Sequence, residues 1–312
     1  MNLNPAQMMN RTMGSLGIKL NLQTRDRIYG FLLTLPAWLG VFGLIFYPLG
    51  LGIINSFRDV NLFQLGESPW VGFKNYKTLF AYSVFWNSVQ VTLVYAISSV
   101  VGAALVGLLL ALALNKQTRI NSIIRAFLVI PWVLPGALVA FLFLFMSLQK
   151  GGVIGYFLMK IGLLEKPINF FAGVDTAMPA VIIATIWMSF PFCMIMFLAG
   201  LKTIPREIEE AAVIDGANLF QRFWYITLPY LKNVIVITTT LMVIWNFNFI
   251  DIVIITTQGG PIGKTDILVN LAYRTAIHQL NFSLSSAIGV VWLLALTGFA
   301  YLYLRSMKVL RD

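Results

Sequence analysis

Six stretches of this sequence, residues 28–56, 88–115, 126–149, 176–201, 233–250 and 275–304, contain no Asp, Glu, Lys or Arg. A helix crosses the hydrocarbon core of a bilayer with about 20 apolar residues, and each stretch approaches or exceeds that length. Hydrocarbon offers no partner to a free backbone N–H or C=O, so a segment inside it must close its own hydrogen bonds. At these lengths that means helices rather than barrel strands. The expectation is an all-α, polytopic membrane protein with six transmembrane helices. Composition agrees, since 59% of residues are hydrophobic and 11% charged, against about 25% charged in soluble domains.

Six crossings place both termini on one side. Basic residues are retained in the cytoplasm, and the alternate segments differ in their Lys and Arg content. Fourteen lie in the N-terminal segment, in 116–125, in 202–232 and in 305–311; eight lie in the remaining loops. Both termini are therefore expected to be cytoplasmic, with 1–27 a cytoplasmic segment and 28–312 the transmembrane domain. Residues 1–27 are polar and the apolar stretch after them is too long for a secretory signal core, so the first span is expected to remain in the mature protein. The net charge of +10 is spread through loops rather than massed on one face, which excludes nucleic acid as its partner. Cys193, the sole cysteine, has no intrachain partner, and the single histidine, His278, forms no metal cluster.

Several features admit two readings. Trp70-Val71-Gly72-Phe73-Lys74-Asn75-Tyr76, in an outer loop, is either an interfacial anchor or a docking surface for an external partner. Ser99, Ala103, Gly107 and Ala111 line one helical face with small side chains, as close helix packing requires. Pro131, Pro135 and Pro191 each remove a backbone donor and bend or break their helices, in a rocking element or in a static bundle. Gly259-Gly260-Pro261-Ile262-Gly263-Lys264-Thr265 imitates a phosphate-binding loop. That motif needs its first glycine where Gln258 stands, and proline removes one amide of the cradle. It reads as a Gly-Pro turn on the outer side.

The segment 203–229 is the longest and most charged inner loop. Pro205 suits a first helical turn, and Glu207, Glu209 and Glu210 sit where the helix dipole favours acids. Gly216 supplies a positive-φ stop. Asn218 with Gln221 is a capping-box start for a second helix, which Pro229 is expected to limit. Glu210, Ala211 and Ala212 form either a docking knob or part of a solvated hairpin. In the spans, polar side chains are costly and tend to face the bundle interior or a wet path. Asn246, Asn248 and Asp251 are such residues, with Trp245 beside them; Asn248 and Asp251 are expected to share a helical face. These three, with Trp187, are candidate contacts for a hydroxyl-rich solute, the alternatives being helix bridging and an interfacial Asp251.

The spacing Glu210-Ala211-Ala212, Gly216, Ile226, Leu228-Pro229 resembles without departure the EAA loop of binding-protein-dependent ABC importer permeases. Trp70 to Tyr76, Phe85-Trp86-Asn87-Ser88, Trp245 to Asp251, Gly259-Gly260-Pro261 and Tyr273-Arg274 are similar to motifs of the carbohydrate and glycerol-phosphate group. The resemblance runs from about residue 28 onward, and Arg305 to Asp312 is similar to the end of the first permease of a heterodimer. It implies the ABC importer permease fold. It also implies an ATPase-coupling set of Glu210, Ala211, Ala212, Asp215, Gly216, Ile226, Leu228 and Pro229.

The implied partners are a second permease, an ATPase dimer, an extracytoplasmic solute-binding protein and the lipid bilayer of a bacterial or archaeal cell membrane. The implied nucleotide chemistry, ATP with Mg, belongs to the ATPase, with no cofactor and no catalytic or metal residue in this chain. A solitary ion- or proton-coupled transporter would need ionisable residues in several spans, and only Asp251 approaches that role. A membrane enzyme would need clustered Asp, His or nucleophiles near one interface. The sequence leaves the solute open among saccharides, polyols and glycerol phosphates.

Overall fold

The computed structural model describes residues 22–60 and 68–306. Arg11, Lys19, Lys308 and Arg311, which enter the charge asymmetry, lie outside them, as do most of segment 1–27 and the end of the chain from 307. The described residues are mostly helical and contain no strand. Two compact units divide the chain, Met1–Ile54 and Asn55–Asp312.

The first unit holds α1 (Leu22–Val41), a π-turn at Phe42–Phe46 and most of α2 (Tyr47–Ser56). Trp38, Phe42 and Phe46 form a ladder with ring centroids 5.9 and 5.1 Å apart. The π-turn falls just ahead of Pro48, and the Tyr47 N–H reaches back to the Phe42 carbonyl. A widened turn accommodates the proline ring and its missing donor without ending the helix.

The second unit contains α3 (Lys74–Ala81), α4 (Ser83–Ala113), α5 (Arg119–Val133), α6 (Gly136–Met146) and α7 (Val153–Lys160), followed by α8 (Ala177–Leu201). Its central pair is α4 and α8. Ser99, Ala103, Gly107 and Ala111 are all buried; a Cβ on Gly107 would sit 2.6 Å from that of Cys193. The small-residue face thus serves close packing. α8 runs unbroken through Pro191. One buried cluster, including Leu114, Leu201, Ile204 and Leu231, lies where α4 and α8 end. A second, with Tyr95, Val139, Ile252 and Ile267, lies toward their beginnings.

Among the described residues, five helical runs are long and apolar enough to span a membrane, and a sixth crossing exists if α5 and α6 are counted together across their 96° bend. The stretch 126–149 is therefore not one straight helix. Pro131 stays inside α5, whereas Leu134 and Pro135 are both extended. Pro135 cannot donate to the turn before it and disfavours helix at Leu134, so the break falls there.

The remaining elements are α9 (Arg206–Ile214), α10 (Leu219–Arg222), a π-turn at Phe223–Thr227, α11 (Leu228–Asn248), α12 (Asp251–Thr256), α13 (Leu268–Ile277) and α14 (Phe282–Ser306). The fifth span also breaks: α11 ends at Asn248, Phe249 is extended at φ −89°, ψ 103°, and α12 begins at Asp251. Asn248 and Asp251 consequently do not share a helical face. The stretch 275–304 overshoots the sixth span, because residues 275–281 finish α13 and turn into α14. α6 and α12, each following a break, pack together.

Candidate functional site

The hairpin after α8 is built from local signals. Pro205 occupies the N-cap at φ −61°, ψ 135°, one position before the first helical turn where it was expected. Glu207 and Glu209 follow in that turn. α9 closes on Gly216 at φ +76°. The Ala217 N–H reaches the Ala212 carbonyl at 2.9 Å and the Gly216 N–H that of Val213 at 3.1 Å, the paired bonds of a Schellman stop that needs the left-handed residue. Asp215 is the C-cap.

Asn218 opens α10 with the expected capping box, the two reciprocal bonds both 2.9 Å long. Pro229 does not limit this second arm. The π-turn at Phe223–Thr227 lies just before it, and the Leu228 N–H reaches Phe223. Helix therefore continues from Leu219 to Asn248, by the same device as at Pro48.

Glu210 and Ala211 are exposed and Ala212 is half-buried. Around them the hairpin exposes apolar side chains that no ordinary solvated loop needs: Ile214 is 85% exposed, and Leu219, Phe220 and Tyr225 are also open. Ile226 packs against the cluster at the ends of α4 and α8; Leu228 is half-buried and Pro229 exposed. Between the hairpin and the end of α4 lies an open cavity of about 610 Å³ whose wall includes Asn115, Glu209, Phe220 and Arg222.

At the other end of α11, both span breaks border one cleft of about 150 Å³, lined by Trp132, Met188, Ser189, Met242, Trp245, Asn246 and Phe249. Asn246 is only 3% exposed, and its Nδ2 has no hydrogen-bond partner among the described residues. A buried amide left open toward a cleft is costly unless something visits it. Phe192 packs against two of these walls, 5.6 Å from Trp132 and 4.7 Å from Trp245 by ring centroid.

The other three candidates are placed differently. Asn248 is exposed and donates to the Ile244 carbonyl at 2.8 Å. Asp251 lies against the start of α6, where a Cβ on Gly136 would come within 2.5 Å of its Oδ2. Trp187 does not line the cleft; it packs between the two core clusters, edge-on to Phe143 at 5.6 Å. Sequence reasoning missed Trp132, Ser189 and Phe249 as walls. The position of Trp132 between two prolines was the available signal for the first.

The far loop gathers several of the quoted motifs. Asn87 donates to the Gly263 carbonyl at 3.0 Å, while Arg274 meets Asp266 at 2.6 Å and Asn270 binds the other carboxylate oxygen at 2.7 Å. Asp266 is 1% and Arg274 39% exposed. Burial pushes the Asp266 carboxyl above its ordinary pKa, against the opposing pull of Asn270 and Arg274. The amides of Gly260, Lys264, Thr265 and Asp266 all bind carbonyls of residues 257–263, so they do not form a phosphate cradle. Nearby, Phe57 stacks on Trp70 at 5.4 Å and touches Phe73 and Tyr76, tying the aromatic segment into a cluster.

A bundle of apolar helices broken around a small cleft, with a capped hairpin at one end, is the architecture of a membrane-spanning protein. The family model of the "Binding-protein-dependent transport system inner membrane component" matches residues 103–309, and the chain belongs to that family. It is similar to the trehalose/maltose transport system permease protein MalF of Thermococcus litoralis, 33% identical over 93% of this chain and 97% of that one. The sulfoquinovosyl glycerol transport system permease protein SmoG of Agrobacterium fabrum is 32% identical over 92% of each chain. Among solved structures, a chain of a bacterial ABC transporter involved in the import of the acidic polysaccharide alginate has the same fold. Its TM-score is 0.79 at 21% identity, over 93% of this chain and 98% of that one.

Proposed function

We propose that this chain is one of two permease subunits of an ATP-driven importer for a carbohydrate or related polyol-like solute, the first of a heterodimeric pair. The observation that carries this reading is the hairpin 203–229. It presents exposed apolar and acidic side chains at its tip and runs without a helical break into the span that reaches Asn246. The names of the similar permeases, which refer to trehalose, maltose and sulfoquinovosyl glycerol, support the solute class.

In this reading Glu210, Ala211, Ala212, Asp215 and Gly216 seat in a cleft of an ATPase dimer, which holds ATP and Mg, and Ile226, Leu228 and Pro229 carry the motion inward. The orientation follows the charge asymmetry: hairpin and both termini in the cytoplasm, far loops facing a solute-binding protein outside. Asn246 contacts the solute through hydrogen bonds while Trp132 and Trp245 offer faces to sugar C–H groups. Asn248 and Asp251 flank the break, and Trp187 supports the wall from behind.

Nucleotide binding can shift the permease only through different affinities for its two states, so the contacts between hairpin and ATPase must differ between them. Cys193 is buried, so an Ala211→Cys variant offers a selectively labelled site. Crosslinking from it to a co-purified ATPase in an uptake-competent complex is the expected result. Full uptake by this chain alone in liposomes would overturn the reading.

A further inference from the structure

At the hairpin end of the bundle, the start of α5 and the end of α8 enclose an open groove of about 860 Å³. Its wall includes Thr118, Arg119, Ser122, Arg125 and Lys202, and no acidic side chain. None of the three cations forms an ion pair among the described residues, where the pairs are Lys74 with Asp59 and Arg274 with Asp266. The groove is held in shape from below. Thr118 caps the Asn121 N–H at 3.1 Å, Asn121 fixes the Lys116 carbonyl at 2.8 Å, and Arg125 is half-buried with its Nε on the Asn121 carbonyl at 3.1 Å. The remaining guanidinium donors, apart from a 3.3 Å bond to Ser122 Oγ, are available to an anion.

Directly along the same helix, Ile120, Ile123, Phe127 and Ile130 are exposed. Their spacing of three and four residues makes them one stripe, and Ile123 belongs to both the stripe and the groove. A cationic hollow joined to an apolar stripe is the complement of an amphiphile with an anionic head and hydrocarbon tails. The positive end of the α5 dipole adds to the same field. A soluble anion would use the hollow and leave the stripe bare.

We propose that this groove binds the phosphate-bearing headgroup of an anionic phospholipid, with its acyl chains along the Ile120 to Ile130 stripe. The leaflet is the inner one under the orientation above; the site itself does not depend on that orientation or on the transported solute.

The test is native mass spectrometry of the full chain released from nanodiscs of equal parts phosphatidylglycerol and phosphatidylethanolamine. Wild type should retain phosphatidylglycerol with at least about threefold enrichment. Arg125→Gln/Lys202→Gln should fall to the bulk ratio, and Lys202→Gln, at an exposed position, should fall part of the way. Lys160→Gln/Lys166→Gln, at the far end, should keep the enrichment, and millimolar inorganic phosphate should not displace the lipid. Retention unchanged in both Lys202 variants overturns the proposal. So does equal loss in the far-end control, or displacement by inorganic phosphate, which would make the groove a free-anion site.

Discussion

The two ends of this permease solve opposite problems. The far loop, residues 257–267, is braced from within: the amides of Gly260, Lys264, Thr265, Asp266 and Ile267 bind its own carbonyls, Asn87 clamps it to α4, and Asp266, Asn270 and Arg274 fill the space beneath. The hairpin is well capped along its backbone but leaves Ile214, Leu219, Phe220 and Tyr225 open. Both segments are polar connections between apolar spans, yet the far loop exposes one large apolar side chain, Ile262, on a backbone it braces itself, whereas the hairpin exposes those four on a backbone finished only in its local geometry. Internal bracing marks a loop that keeps its shape before meeting a partner, whereas exposed apolar surface marks one that acquires its energetics from contact.

The largest effect should come from breaking the hairpin's stop. Gly216→Val forces a β-branched residue into the left-handed region, which costs about 1–2 kcal/mol for backbone alone and removes the fixed angle between the arms. Uptake by the assembled importer should fall at least tenfold while membrane insertion is retained. Normal uptake would show that the angle between α9 and α10 does not matter.

Next, Asp266→Leu strands Arg274 and Asn270 beneath the far loop. Loss of one partner of a buried pair costs about 3–5 kcal/mol when both are deep; with Arg274 partly in solvent the expected change is a fall of several degrees in Tm, with faster proteolysis near 258–264. An intact Tm would mean that the loop is braced by its backbone bonds alone. Hydrogen exchange offers a gentler contrast. Adding the ATPase should slow exchange in 209–221 several-fold and leave 257–267 unchanged; slowing at both ends, or at neither, would erase the distinction between them.

The smallest effect is electrostatic. Because burial raises the Asp266 pKa, the folded state binds its proton more tightly than the unfolded chain. Its favourable contribution is complete below the ordinary carboxylate range and is lost as pH rises through the higher folded value. Compared with Asp266→Asn, wild type should therefore look relatively more stable under acid conditions than at neutral pH. A Tm difference independent of pH would contradict that linkage.

Much of this arrangement was legible in the sequence, and the reason is physical. Hydrocarbon punishes charge so strongly that uncharged runs report spans directly, and Gly216, Asn218 and Gln221 act through bonds within a few residues of themselves. The fold's interruptions were less visible. Pro131, Pro135, Pro191 and Pro229 look equivalent by composition, but only Pro135 sits at a break, while Pro229 is absorbed by a π-turn.

The break at Phe249 carries no proline or glycine at all, and it displaced Asp251 from the face it was expected to share with Asn248. Contacts such as Asn87 with Gly263, 176 residues apart, exist only once the bundle has assembled. The cleft wall at Trp132 and Phe249 is likewise a product of two bends meeting, which no local pattern encodes.

The π-turn at Phe223–Thr227 has a mechanical consequence. From Leu219 to Asn248 the backbone is helical without interruption, about 45 Å along its path at 1.5 Å per residue. Turning the hairpin end would then carry Trp245 and Asn246 with it, so motion at the hairpin and motion at the cleft would share one degree of freedom.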